Sequence, residues 1–209
     1  MSLSMGRVRA YVGLGANVGE AATTLAAGVR ALAALPGARL RGVSRLYATR
    51  PVGVVDQPDF RNAVVALDVP AGPDPASGAL ALLVALKRLE RAFGRHERER
   101  WGPRELDLDL LVFGRARLEI ERPPEGLPLS LGKADRLLIV PHREAAERLF
   151  VLAPLGDLVP GLVPPGWGET VASARARREA IEGPAAVRPV GRWTGEGWAM
   201  FPRAAHANG

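Results

Sequence analysis

The sequence predicts an α+β chain with a ferredoxin-like βαββαβ core: an antiparallel sheet, helices on one face, and additions at the C-terminus. Three observations predict it. Strand-length apolar runs at 8–14, 40–48, 63–69 and 106–113 are interleaved with two helical stretches in the order β-α-β-β-α-β, the split βαβ pattern. The 209 residues are enough for one domain with a sizeable core and short for two. A composition of 47% hydrophobic and 24% charged residues is that of an ordinary globular chain, which can fill such a core.

Val8 to Leu14 is apolar enough for a buried first strand. Gly13-Leu14-Gly15-Ala16-Asn17 reads as a tight turn into a helix from about Gly19 to Leu35, stopped by Pro36-Gly37. These glycines match neither G-x-G-x-x-G nor a loop ending in G-K-[ST], so neither a Rossmann nor a P-loop site is supported. Leu40 to Ala48 alternates loosely as a second strand. Thr49 to Asn62 carries Pro51, Gly53 and Pro58 and is a loop, long for a plain connection; such loops often bind ligands. Ala63 to Val69 is the third strand.

Asp74 caps a second helix with Pro75 at its first position, and Gly94 ends it after Phe93. Leu80, Leu83, Leu86, Leu89 and Phe93 form its apolar stripe. Glu90 lies near the C-terminal end, where the helix dipole disfavours an acid, which hints at a further role; otherwise Glu90 and Lys87 stand on a solvated face. Past the strand at 106–113, Arg117 to Ile120 reads as a short hairpin partner. Arg122 to Ala134, with three prolines and two glycines, is a loop. Leu137 to Val140 is an apolar strand leading into Pro141-His142; a lone histidine beside a proline is more often a structural hydrogen-bonding residue than a catalyst. Glu169 to Ile181 reads as a helix with a basic outer face. Arg188 to Phe201, with Trp193 and Trp198, reads as a hairpin packed on the domain or on a partner, followed by a disordered end.

The chemistry gathers at Arg100-Trp101-Gly102-Pro103-Arg104-Glu105-Leu106-Asp107-Leu108-Asp109-Leu110-Leu111-Val112-Phe113. Leu106, Leu108 and Leu110 alternate with Asp107 and Asp109, so the leucines face one side of a strand and both acids the other. Residues two apart sit about 6.6 Å apart at Cα, so the carboxylates can converge on one point. Two carboxylates about 5 Å apart repel by roughly 3 kcal/mol at an effective dielectric of 20. A divalent cation or nearby arginines would offset this, and Arg95, Arg98, Arg100 and Arg104 stand just upstream. Oxygen ligands without cysteine or clustered histidine point to Mg²⁺, which shares its shell with substrate phosphates. Asp-x-Asp alone is commonly a solvated strand face. The arginines, Trp101 and the flanking Leu-Leu-Val-Phe favour a nucleotide polyphosphate site.

Other classes are disfavoured. No apolar run approaches the roughly 18 residues of a membrane span, and 1–9 lacks a signal-peptide core. The absence of cysteine excludes disulfides and thiolate sites and is compatible with a cytoplasmic protein. The net charge of +6 is almost wholly arginine and scattered, so no nucleic-acid partner is read from it; an anionic small ligand such as ATP fits better.

Arg100-x-Gly102-Pro103-Arg104-x-x-Asp107-Leu108-Asp109-Leu110-Leu111 resembles the signature of the 6-hydroxymethyl-7,8-dihydropterin pyrophosphokinases of folate biosynthesis. The resemblance extends to Asp56-Gln57-Pro58-Asp59 with Asn62, and to Pro141-His142-x(5)-Arg148-x-Phe150. It stops at Gly183, which divides the chain into a catalytic part, 1–182, and an extension, 183–209. It implies a transferase that moves pyrophosphate from ATP to the hydroxymethyl oxygen of the pterin and releases AMP. Asp107 and Asp109 would hold two Mg²⁺ ions; Glu90, Arg95, Arg104, His142 and Arg148 would meet ATP. Thr49, Val52, Phe60, Asn62 and Phe150 would hold the pterin, with Phe60 and Phe150 stacking on its faces, and Trp101 would close the site. Phe60 stands where the family often has Tyr, Arg50 and Val54 where it often has Pro, and Lys87 where it commonly has Gln. The alternatives are another Mg²⁺-dependent ATP-using transferase, or a non-catalytic ferredoxin-like module for RNA. The latter should carry aromatics on adjacent strands, where this chain has acids.

Overall fold

The computed structural model describes residues 6–50, 58–94, 104–124 and 136–202. It is an α+β structure whose main sheet is antiparallel throughout. In chain order the first five strands and two helices are β1 (Arg7–Ala16), α1 (Ala21–Ala33), β2 (Arg39–Val43), β3 (Leu46–Thr49), β4 (Phe60–Pro70), α2 (Pro75–Ala92) and β5 (Asp107–Phe113). Then come β6 (Leu118–Glu121), β7 (Leu137–Val140), α3 (Leu149–Leu158), α4 (Val171–Glu182), β8 (Val187–Trp193) and β9 (Trp198–Met200). The sheet runs β5-β1-β4-β3-β8-β9, with β2 also on β4; β6 and β7 form a separate pair.

Alternation along β1, β4 and β5 sorts side chains to two faces. Val12, Leu14, Val65, Leu67, Leu106, Leu108 and Leu110 join Leu25, Val29, Leu83 and Leu86 of α1 and α2 in the main core. On the opposite face Tyr11, Val64, Ala66, Leu111 and Val112 pack against Leu152, Leu155, Val171 and Ala174 of α3 and α4. The expectation of helices on one face is thus corrected. The βαββαβ segment does place α1 and α2 together, but the C-terminal helices cover part of the other face, because Tyr11, Val64 and Ala66 make it apolar.

Asp74 caps α2 as expected, accepting from the Ser77 N–H at 3.0 Å. Its buried face is centred on Ala79, Leu82, Leu83, Leu86, Lys87 and Glu90, so the stripe read through Leu80, Leu89 and Phe93 is rotated and those three are only half-buried. The second strand, expected unbroken over 40–48, is interrupted at Ser44-Arg45, where the Ser44 hydroxyl accepts from the Val64 N–H (2.9 Å) in place of a ladder partner. Asp157 of α3 meets this break, bonding the Arg45 N–H (3.0 Å), the Arg45 guanidinium (2.5 Å) and the Tyr47 hydroxyl (2.9 Å). Burial, with Asp157 adding to it, raises the Tyr47 phenol to about 12.

Candidate active site

The glycines read as a turn belong to β1, which continues to Ala16. Gly15 is in register with Asn62 of β4 on one side and Asp107 of β5 on the other. Gly13 pairs with Asp109 and Val64 in the same way. With strands about 4.8 Å apart, Asn62 and Asp107 lie about 10 Å from each other across the bare backbone of Gly15. A Cβ there would lie 3.3 Å from Asn62 Oδ1 and 4.0 Å from Asp107 Cβ. At Gly15 the limit is therefore space, with the Asn62 amide close to where a Cβ would stand, whereas a Cβ at Gly13 would meet the Leu111 side chain at an ordinary 3.5 Å; neither glycine serves a turn.

The acids lie as their alternation predicts: Leu106, Leu108 and Leu110 are in the core, and half-buried Asp107 and Asp109 occupy the opposite face. A bulge between Tyr11 and Val12 then re-phases β5, so that Leu111 and Val112 both reach the second core. The Leu111 carbonyl accepts the His142 N–H at 2.9 Å, seating the Pro141-His142 turn beside Asp109. Burial holds the His142 imidazole below 6.5 although Asp109 pulls it up. Its Nδ1 accepts from the Glu144 N–H at 3.3 Å, so in the neutral ring the proton assigned from this bond sits on Nε2.

Arg104 pairs with Asp107, one of the two charge-offsetting devices expected from sequence. It is placed by Asn17, a buried residue that sequence reasoning left inside the turn. Asn17 Oδ1 accepts the Arg104 N–H (2.8 Å), and its own N–H donates to the Arg104 carbonyl (3.0 Å). Its side-chain amide also donates to the Pro58 carbonyl (3.3 Å). One side chain therefore holds the ends of the segments leading into β4 and β5. The signal was the position of an amide at the end of β1, the central strand of the site.

Glu90 and Lys87 are not on a solvated face; they are 2% and 5% exposed. Glu90 Oε1 accepts from Lys87 Nζ (2.7 Å) and from the Leu108 N–H (2.7 Å), while Lys87 Nζ donates to the Leu108 carbonyl (3.0 Å). Among the described strands β5 is the sheet edge, so the outward N–H and C=O of Leu108 need partners, and the ion pair supplies them. The residue clamped lies between Asp107 and Asp109.

The expected pterin residues form a second cluster on the same face. Asn62, 7% exposed, donates from Nδ2 to Thr49 Oγ1 at 3.0 Å, and Thr49 pairs with Phe60. Phe150, in the first turn of α3, packs against the Tyr47, Leu149, Ala153 and Val187 cluster, with the Arg148 guanidinium 5.5 Å from its ring centre. Arg148 also pairs with Glu144. Val52, Arg95 and Trp101 lie outside the described residues. Among those described, no group of three or more histidines and carboxylates clusters as a self-sufficient metal cage. Two half-buried carboxylates on one strand face fit a hard cation that would complete its shell with oxygens from elsewhere.

Comparison with known proteins decides the family. Residues 11–160 match the model of 7,8-dihydro-6-hydroxymethylpterin-pyrophosphokinase (HPPK). The chain belongs to the HPPK family. It is 41% identical over 169 residues to the 2-amino-4-hydroxy-6-hydroxymethyldihydropteridine pyrophosphokinase of Methylorubrum extorquens, covering 81% of this chain and 92% of that one. The Pseudomonas aeruginosa protein of that name is 42% identical over 154 residues, covering 74% and 82%. Among solved structures, wild-type Plasmodium falciparum HPPK-DHPS with pterin and p-hydroxybenzoate superposes with a TM-score of 0.70 at 15% identity, over 95% of this chain and 49% of that one. This likeness speaks for the fold; this HPPK chain spans about half the length of such two-part proteins.

Proposed function

We propose that this HPPK transfers pyrophosphate from ATP to the hydroxymethyl group of 6-hydroxymethyl-7,8-dihydropterin, releasing AMP, in folate biosynthesis. The observation that carries the reading is the row Asp107–Gly15–Asn62. In this row one acid of the proposed metal pair and the Asn62 amide, bonded to Thr49, stand on one face of the sheet about 10 Å apart by strand spacing, which supports neighbouring sites for phosphate and acceptor. An acceptor hydroxyl held over Gly15 would then point at phosphates held over β5.

Asn62 and Thr49 orient the pterin edge, and Phe60 and Phe150 stack on its faces. Arg104, Arg148 and the Nε2–H of His142 bind phosphate or ribose oxygens of ATP, joined by Arg95; Trp101 helps exclude water. Glu90 acts through Leu108, holding β5 in place. Asp107 and Asp109 would hold two Mg²⁺ ions together with the phosphates, and the ions, when bound, supply charge neutralisation and lower the pKa of the acceptor hydroxyl. Arg104 leaves Asp107 for the phosphates as the nucleotide arrives. Catalysis is then chiefly positioning and electrostatics, as phosphoryl-type transfer requires. The β-strand order of the first five strands supports a ferredoxin-like core for this site. That no helix among the described residues is long and apolar enough to cross a membrane is compatible with a cytoplasmic enzyme.

The test is to mix the protein with ATP, Mg²⁺ and 6-hydroxymethyl-7,8-dihydropterin and identify the nucleotide product. AMP in step with pterin pyrophosphate is expected; ADP would overturn the assignment.

A further inference from the structure

The family match ends at residue 160, yet the sheet continues well beyond it. Strand β8 pairs with β3, and the register sets Val187 against Thr49, whose other neighbour is Phe60. Phe60, Thr49 and Val187 thus form one row across three strands, on the face that carries Asn62. Val187 is 7% exposed and packs with Tyr47, Leu149 and Ala153; Phe150 and Ala186 close over this cluster. On the reverse face Arg188 reaches Asp59, one residue before Phe60, at 3.7 Å. The hairpin is fastened further along: Trp198 Nε1 donates to the Ser44 carbonyl (3.2 Å), and the Arg30 guanidinium donates to the Glu196 carbonyl (2.8 Å). Trp193 and Trp198 stack edge-to-face at 4.8 Å against the main core.

We infer that β8, from the C-terminal extension, is the outer wall of the pterin slot. Val187 seats Phe150 and flanks Thr49, and Arg188 steadies the chain entering Phe60. These are positioning residues that act on the acceptor side; the nucleotide side lies on β5 and the His142 turn and meets this cluster where Arg148 stacks on Phe150. Without β8, Thr49 would sit on an open sheet edge and Phe150 would lose the support beneath it. The inference rests on the pterin-site reading proposed above.

The experiment compares steady-state constants of the full chain and three variants, with thermal midpoints alongside. Val187→Ala removes two methyl groups beneath Phe150 and is expected to raise KM for the pterin about tenfold, the low end for lost apolar fit in a pocket, with KM for ATP within about twofold. Arg188→Ala, at an exposed position that leaves folding intact, should raise pterin KM about threefold, as an exposed ion pair allows. The charge swap Arg188→Asp with Asp59→Arg should recover most of that loss. Trp198→Phe, in the same hairpin but on the other face, should lower the thermal midpoint and leave both constants near wild type. Unchanged pterin KM in folded Val187→Ala and in Arg188→Ala overturns the inference, as does an equal rise in both constants. A wild-type protein that releases no AMP from ATP with the pterin overturns the parent reading instead, so the two failures are separable.

Discussion

Replacing Glu90 tests how β5, the strand of Asp107 and Asp109, is held. Glu90→Ala leaves the Lys87 ammonium buried with its carboxylate gone and deprives the Leu108 N–H of an acceptor at 2.7 Å. Removing one partner of a buried ion pair costs about 3–5 kcal/mol. The orphaned amide adds to this, though not additively, since both bonds share one oxygen. At about 2–4 °C per kcal/mol for a chain of this size, the midpoint should fall by roughly 10 °C. Glu90→Gln combined with Lys87→Met keeps an acceptor for Leu108 and removes both charges, so most of the stability should return. Thermal and urea unfolding measure the stability, and turnover follows it: the single variant loses kcat because Asp107 and Asp109 move with Leu108, and the double variant regains it. A loss below about 1 kcal/mol in Glu90→Ala would refute the clamp, being no more than an exposed ion pair is worth. A double variant that is stable but has a greatly raised KM for ATP would show that Glu90 serves the nucleotide directly.

Two further outcomes follow from the geometry. Gly15→Val should cost about 1–3 kcal/mol, because a Cβ alone would lie 3.3 Å from Asn62 Oδ1 and 4.0 Å from Asp107 Cβ and two further methyl groups overpack the row, and turnover should collapse as Asn62 and Asp107 are pushed aside; urea unfolding and AMP release check the two halves, and retained activity counts against the shared row. Tyr47 is raised to about 12, above the value near 10 it has when unfolded. Its contribution is complete below pH 10 and is lost as pH climbs toward 12, since only the unfolded chain gives up the proton there. Tyr47→Phe should therefore flatten the decline of stability across pH 10–12, read by urea midpoints, and an unchanged slope would contradict the buried phenol.

What could be read in the sequence was local. The alternation of leucine and aspartate across 106–110 fixed the faces of β5, and Asp74-Pro75 announced the start of α2. What could not be read was set by distant partners. Lys87 and Glu90 look like surface residues because charges seldom go inside, and only the unpaired edge of β5 gives them a reason to. Gly13 and Gly15 look like a turn, whereas pairing with β4 and β5 makes them strand residues. Pro154 hides α3, which tolerates it inside the helix. The seating of β8 on β3 joins residues more than a hundred positions apart and leaves no periodic trace. The resemblance supplied the roles expected of Thr49, Phe60, Asn62, Arg148 and Phe150, which spacing alone does not convey.

The most direct measurement is calorimetric binding of a non-hydrolysable ATP analogue with and without Mg²⁺, in wild type and in Asp107→Ala and Asp109→Ala. Wild type should bind at least about tenfold more tightly with the ion, about 1.4 kcal/mol, and each variant should lose that increment while keeping its fold. An increment of the same size in all three proteins would mean that the cation and the phosphates bind away from β5.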